Sequence, residues 1–255
     1  MVHTRMRALG WVVGGTQTVV EALLEAIGAT GTLMAYVGWE DDPWHIDEWP
    51  EAWQRAYREE LPPFDPALSA ADPDIGRIPE RIRTWPGAYV SAAHVFRMAA
   101  IGPRAEWLTA DQTWNHPQGR GSPLAKLAAT EGQVLMLGAP LDTLTILHHA
   151  EALVDSPQRR PVTYGIPVED GGRVVWREVH DHDTSSRGAF PYERFVPAGV
   201  DPFAAIGEAA LQASCGRRGM VSEAESVLFE AAPLVRFAVD WLVQRFAGGP
   251  PGGPA

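Results

Sequence analysis

The strongest chemical signal in the chain is a histidine and a glutamate three residues apart, His148 and Glu151. That spacing puts both side chains on one face of a helix, where they can touch. An imidazole held by a carboxylate is a general base with its orienting partner. The surrounding stretch, QVLMLGAPLDTLTILHHAE, indicates how the pair would be positioned. Gln133 to Leu137 is short and almost wholly apolar, the pattern of a buried central strand. Gly138, Ala139 and Pro140 break it. Asp142 or Thr143 is expected to cap the next helix through a side-chain oxygen, and Leu144, Leu147 and Leu153 mark its apolar side. His149 diverges from His148 on such a helix, so the two cannot share one metal, and His149 reads as packing.

The elements around this unit alternate between strand and helix signals. A glycine-rich turn at Trp11 to Gly15 leads into a helix over Thr16 to Ile27, and Gly31 to Tyr36 reads as a strand. A short helix over Asp74 to Thr84 ends before Pro86, extended pieces follow at Ala88 to Ala92 and Arg97 to Ile101, and Pro123 to Ala129 is a short helix. Val162 to Val168 and Arg173 to His180 flank Asp170-Gly171-Gly172 as a hairpin. Pro202 to Ala213 and Ala232 to Phe246 are the last helices. The mix predicts a layered α/β or α+β domain over residues 1–247. Residues 39–66 hold four of the ten tryptophans and nine acidic residues. They read as too polar and irregular for core, and so as a long excursion serving as a lid, a binding loop or a dimer contact. The tail 248–255, GGPPGGPA, is expected to be disordered.

Composition narrows the function classes. A chain of 255 residues with 45% hydrophobic and 21% charged residues is ordinary for a soluble globular protein. No apolar run approaches the ~20 residues that span a bilayer, so no membrane role is expected. One cysteine, Cys215, excludes an intrachain disulfide, and a cytoplasmic setting is the expectation. The net charge of -11 argues against nucleic-acid binding; it suits a cationic substrate, or solubility alone.

Weaker motifs remain open. The chain has no P-loop, GxGxxG or HExxH. His180 and His182 alternate on an extended stretch and could share a face, but a metal site needs more ligands, so none is expected. The arginines after Cys215 could depress its pKa, yet no nucleophile signature surrounds it. The loop from His3 to Gly15, with Arg5 and Arg7, and the loop Gly119-Arg120-Gly121-Ser122-Pro123 each precede a helix. Each could cradle phosphate with backbone amides, though each reads more readily as a plain glycine turn.

In order and spacing, the segments VHTRMRALGWVVGG, GTLMAYVGWED, PPFDP, MAAIGP, GRGSPLAKL, GQVLMLGAPLDTLTILHHAEAL and VTYGIP resemble the aminoglycoside 3-N-acetyltransferase family, over nearly the whole chain up to Phe246. The most specific piece is Thr145, Leu147, His148, Ala150 and Glu151. The resemblance implies a three-layer α/β/α sandwich with an acidic, tryptophan-rich lid insertion. It implies acetyl transfer from acetyl-CoA to the 3-amino group of the 2-deoxystreptamine ring of aminoglycosides, and so antibiotic resistance. Acetyl-CoA and an aminoglycoside or similar cationic amino sugar are then the partners, without a metal, and a homodimer is compatible with the lid's alternative role. By position, His148 falls on the family's base, Glu151 on its carboxylate partner and Thr145 on a hydroxyl near the thioester. Thr4, Arg5, Met6, Arg7, Ala8, Leu9 and Gly10 fall in the CoA phosphate loop, with Gly121 and Ser122 in a second one. Tyr36, Glu40, Asp41, Asp42 and Asp183 fall where the amino sugar is held.

Three departures stand out. Members usually carry a helix and most of a strand ahead of the position of His3; either the start codon is misassigned or the segment is lost, and a true loss would expose a sheet edge. Arg5 stands where serine is common. The family's arginine-serine-x-histidine-proline segment is only loosely kept as Val90-Ser91-Ala92-Ala93-His94. Two other functions are compatible with the same residues: a CoA-dependent N-acetyltransferase of this fold acting on another amine, and a non-catalytic CoA or amino-sugar binder. The His148–Glu151 pair disfavours the second, because a pure binder needs no base.

Overall fold

A computed structural model describes residues 1–42, 46, 49–185 and 187–247. The chain opens with β1 (Val2–Thr4), turns through a 3-10 segment at Met6–Leu9 and enters α1 (Gly15–Ile27). Next come β2 (Leu33–Tyr36), α2 (Glu51–Glu60), α3 (Arg77–Arg83), β3 (Tyr89–Val90), β4 (Met98–Ile101) and α4 (Ala105–Thr109). The second half runs α5 (Pro123–Ala128), β5 (Gln133–Leu137), α6 (Ile146–Leu153), β6 (Pro161–Asp170) and β7 (Arg173–His182). It ends with α7 (Pro202–Gln212), β8 (Gly216–Val221), β9 (Ala224–Glu230) and α8 (Ala231–Phe246).

The layers follow from side-chain alternation. In β5, Val134 and Met136 enter a core shared with Leu124 of α5, Leu147 of α6, Ile206 of α7 and Leu234 of α8. Leu135 and Leu137 face the other way, onto a core with Val19 and Val20 of α1 and Ile78 and Ile82 of α3. β4 divides in the same manner, with Met98 and Ala100 in the first core and Ala99 and Ile101 in the second. A period of two with both faces apolar requires helices on both sides of the strands, which is the expected α/β/α sandwich. β5 is central: it pairs in parallel with β1, Val2 opposite Leu135, and antiparallel with β9, Val134 opposite Phe229. The strand order is β1-β5-β9-β8, with β2-β4-β3 and β6-β7 as separate ladders. β1 stands at one end of that order.

Several elements differ from the sequence reading. The β8–β9 hairpin carries little local signal because all of β8 except Gly216 is exposed, so it shows no apolar alternation. The helix over Asp74–Thr84 is split into a 3-10 turn at Pro73–Ile75 and α3, with Gly76 between them at φ 94. Residues 39–66 are not uniformly outside the core. Trp39 and Phe64 are buried against Ile166 and Val179 of the β6–β7 hairpin, while α2 between them buries none of its residues. The hairpin supplies an apolar face that the excursion's own sequence does not reveal. The returning end is tied down by Arg97, whose fully buried guanidinium donates to the carbonyls of Pro66 at 2.6 Å and Ser69 at 2.7 Å and stacks on Phe64. Trp44, Asp47, Glu48 and the tail 248–255 lie outside the described residues.

Candidate active site

The turn after β5 aims α6 at a cleft. Gly138 has φ 65, and a Cβ there would lie 2.6 Å from the Ala8 Cβ, so only glycine lets the β5 turn close on the loop after β1. The helix is not capped as expected. Asp142 and Thr143 lie in a 3-10 turn at Leu141–Thr143, and α6 starts behind Thr145 without a side-chain cap. The cost is offset by tertiary packing, since Ile146, Leu147, His149, Ala150 and Glu151 are all buried.

His148 and Glu151 meet. The Nδ1 of His148 lies 2.7 Å from Oε2 of Glu151, whose side chain is 1% exposed against 18% for the histidine. With Nδ1–H donated to the carboxylate, Nε2 is left unprotonated, the tautomer a base requires. Burial pushes the Glu151 carboxyl up, but the facing charge and hydrogen bond of His148, with those of His182, hold it down to about 2. The imidazole sits between the rings of Phe96, 4.9 Å away, and Phe203, 4.6 Å away. Phe96 has φ 51, a left-handed conformation that a bulky residue adopts at a cost of roughly 1–3 kcal/mol.

Two clefts converge on the pair. One, of about 390 Å³, is lined by Thr4, Arg5, Tyr36, Asp142, Thr145 and His148, among others. The second, of about 190 Å³, is lined by His148, Glu151, Tyr192, Asp201 and Phe203, among others. Asp142, His148 and Phe203 belong to both. Burial raises the Asp142 carboxyl, and the nearby Asp201 adds to that while Arg5 opposes it. The Tyr36 phenol is held well above its usual range by burial and by Asp42 and Asp72, so it stays a neutral donor.

The remaining expected site residues divide. Thr145 lines the larger cleft, with its hydroxyl donating weakly to the Thr143 carbonyl at 3.4 Å. Thr4 and Arg5 line the larger cleft, but Met6, Arg7, Ala8, Leu9 and Gly10 do not, and Leu9 is buried. Ser122 is a buried helix cap, accepting from the Ala125 amide at 3.1 Å. Gly121 lines a different cleft with Arg120, Arg236 and His149. His149 donates its Nδ1 proton to the Gln118 carbonyl at 2.7 Å, confirming that it diverges from His148. Glu40, Asp41 and Asp42 lie outside the larger cleft, and Asp41 accepts at its carbonyl from Tyr57. Asp183 is 1% exposed and engaged by Ser185 and Arg187.

Other side chains at the site had no assigned role in the sequence. His182 and His180 do not come together at one site: His180 bonds Thr163 at the surface, whereas His182 is buried with Nε2 3.6 Å from Glu151. Tyr192 donates its hydroxyl to Oε1 of Glu151 at 2.5 Å. Phe96 and Phe203 carried no signal beyond apolarity. His148, Glu151 and His182 converge closely enough to hold a metal ion, a cluster that the reading of His180 with His182 did not anticipate. Cys215 is buried and its thiol is raised by that burial, against the depression its arginine neighbours suggested; Arg218 pairs instead with Glu208 and Glu225.

The family model of aminoglycoside 3-N-acetyltransferase matches residues 1–243. Aminoglycoside N(3)-acetyltransferase VIII of Streptomyces fradiae is 54% identical over 97% of this chain and 86% of its own length. The crystal structure of aminoglycoside acetyltransferase AAC(3)-Xa superposes with a TM-score of 0.89 at 49% identity, covering 95% of this chain and 85% of that one. AAC-IIIb, solved as a binary complex with CoASH, superposes with a TM-score of 0.84 at 39% identity, over 98% of this chain and 91% of that one. A family match across almost the entire length, joined to a paired histidine and glutamate at the convergence of two clefts, places this chain in the aminoglycoside 3-N-acetyltransferase family.

Proposed function

We propose that this protein transfers the acetyl group of acetyl-CoA to the 3-amino group of the 2-deoxystreptamine ring of an aminoglycoside, and thereby confers resistance. The observation that carries this reading is the 2.7 Å contact of His148 with a buried carboxylate, on a wall shared with Thr4 and Arg5. The donor is supported by the CoASH complex of AAC-IIIb, and the acceptor by the name of the Streptomyces relative.

The chemistry is direct transfer in a ternary complex. The amine arrives as an ammonium ion and cannot attack until a proton leaves. His148 takes that proton at Nε2, and Glu151 stabilises the imidazolium that forms. The amine nitrogen then bonds to the thioester carbon and the oxyanion develops; as it collapses the carbon–sulfur bond breaks, the nitrogen gives up its second proton, and the departing sulfur takes up one to leave as the CoA thiol. One proton goes to solvent per turnover. The Thr145 hydroxyl, on the wall of the larger cleft with His148, meets the oxyanion together with backbone amides. Holding both substrates against one wall offsets the entropy of a bimolecular step. Thr4 and Arg5 take part in holding CoA, with backbone and guanidinium as the phosphate donors. Tyr36, with Asp42 behind it, contributes to the amino-sugar side.

The deciding experiment measures thiol release from acetyl-CoA with gentamicin-type and apramycin-type substrates, with the acetylated nitrogen assigned by NMR of the product. Acetylation at the 3-amino group is expected. Turnover with none of the panel, or acetylation at another nitrogen, overturns the reading.

A further inference from the structure

Glu151 is gripped on both oxygens. Oε2 faces Nδ1 of His148 at 2.7 Å and Nε2 of His182 at 3.6 Å. Oε1 accepts the Tyr192 hydroxyl at 2.5 Å. Neither outer group has freedom to wander. Tyr192 is 3% exposed, with its ring packed on Phe190, Trp241 and Phe246 at 5.6–6.4 Å. His182 is 2% exposed and backed by the buried Asp181, whose Oδ1 lies 3.4 Å from its Nδ1 and accepts its backbone amide at 2.8 Å. Gln118 donates to the same Asp181 carboxylate at 3.0 Å.

We infer that Tyr192 and His182 are positioning residues: they hold the Glu151 carboxylate in register with His148 and set how tightly the His148–Glu151 pair keeps its proton. The kinetic consequence rests on the acetyl-transfer reading, but the geometry does not. A buried carboxylate with a single partner is free to rotate and is poorly solvated; donors on both oxygens remove both defects. The Tyr192 hydroxyl also draws charge toward Oε1, so less is available to the imidazolium. Deleting it makes the carboxylate more basic, and the pair then binds its shared proton more tightly. The ionisable groups around Glu151 are His148 on its own helix, His182 and Asp181 from β7, Tyr192, and the cleft carboxylates Asp142 and Asp201. Arg159 is spent on the carbonyls of Ala152 and Val154 at the end of α6.

The test uses the full chain with Tyr192→Phe, which keeps the ring and removes the hydroxyl. Two quantities are read: the pH profile of kcat/KM, and the titration of the His148 ring by 15N NMR, assigned through its loss in His148→Gln. In Tyr192→Phe, kcat is expected to fall about tenfold with the KM for the amine unchanged. The acid limb and the ring titration should both move up by about one pH unit. Should Tyr192→Phe not fold, His182→Leu removes the second group facing Oε2 and is expected to move the ring titration in the same direction. An unmoved ring titration in a folded variant overturns the inference, including when melting temperature or active fraction drops, because that is a structural role alone. If the wild-type chain releases no thiol with any aminoglycoside, the acetyl-transfer reading fails, and the ring titration still decides this one.

Discussion

The Nδ1 of His148 and the Oε2 of Glu151, 2.7 Å apart across one helical turn, form a pair whose carboxylate is buried and whose imidazole reaches two clefts. Their roles separate under mutation. His148→Ala is expected to remove turnover by a factor of about 10³ or more while calorimetric binding of CoA persists. Glu151→Gln keeps the shape but loses the charge, and kcat should fall by roughly 10²-fold. Retained turnover in His148→Ala would exclude it as the base.

Phe203 bounds both clefts and presses its ring on His148 from the first turn of α7, where the Asp201 side chain caps the helix by accepting from the Phe203 amide at 2.8 Å. Phe203→Ala opens a cavity beside the imidazole. A stability loss of about 3 kcal/mol is expected in urea unfolding, together with a lower kcat. Phe203→Leu, which refills most of the space, should recover most of both.

Gly138 is where the β5 turn and the loop after β1 nearly touch. Gly138→Ala forces a Cβ into the left-handed region and against Ala8, and should cost about 1–3 kcal/mol. The displaced loop carries Arg5, so the KM for acetyl-CoA should rise as well. Adding Ala8→Gly relieves the contact but not the backbone strain, and partial recovery in the double variant is the expected result.

His94 is fully buried among Phe64, Trp114 and Tyr164, and among the described residues neither ring nitrogen has a hydrogen-bond partner. Burial, and then Arg177, lower its pKa to about 3. Between about 6.5 and 3 the unfolded chain therefore binds a proton that the folded one refuses, so stability falls as pH falls through that window. The slope is about 1.4 kcal/mol per pH unit from this one group. Glu151 acts in the same direction at lower pH. Its folded pKa is depressed, so its contribution is complete above the usual glutamate range and is lost as pH falls toward about 2. His94→Phe should flatten the fall in melting temperature between pH 6.5 and 5, followed by circular dichroism. An unchanged slope would show that His94 is not the source.

Much of the site's helix was legible from sequence because its information is local. A three-residue spacing decides that His148 and Glu151 touch and that His149 does not, whatever surrounds them. The apolar run at 133–137 likewise marks a central strand, because burial on both faces leaves no polar alternation. The resemblance to the acetyltransferase family rested on such local strings, and the sandwich and family membership both held. Other features depended on contacts across long separations. Tyr192 reaches Glu151 over 41 residues, and His182 arrives from the far end of a hairpin, so no period in the sequence connects them. The apolar partners of Trp39 and Phe64 lie on β6 and β7, which is why a polar excursion could still place two rings in a core. The expected cap at Asp142 or Thr143 was not needed, since packing holds the start of α6. Local sequence determined which side chains could do the chemistry; the tertiary structure decided what holds them, because burial and orientation are properties of elements that meet only once the chain has folded.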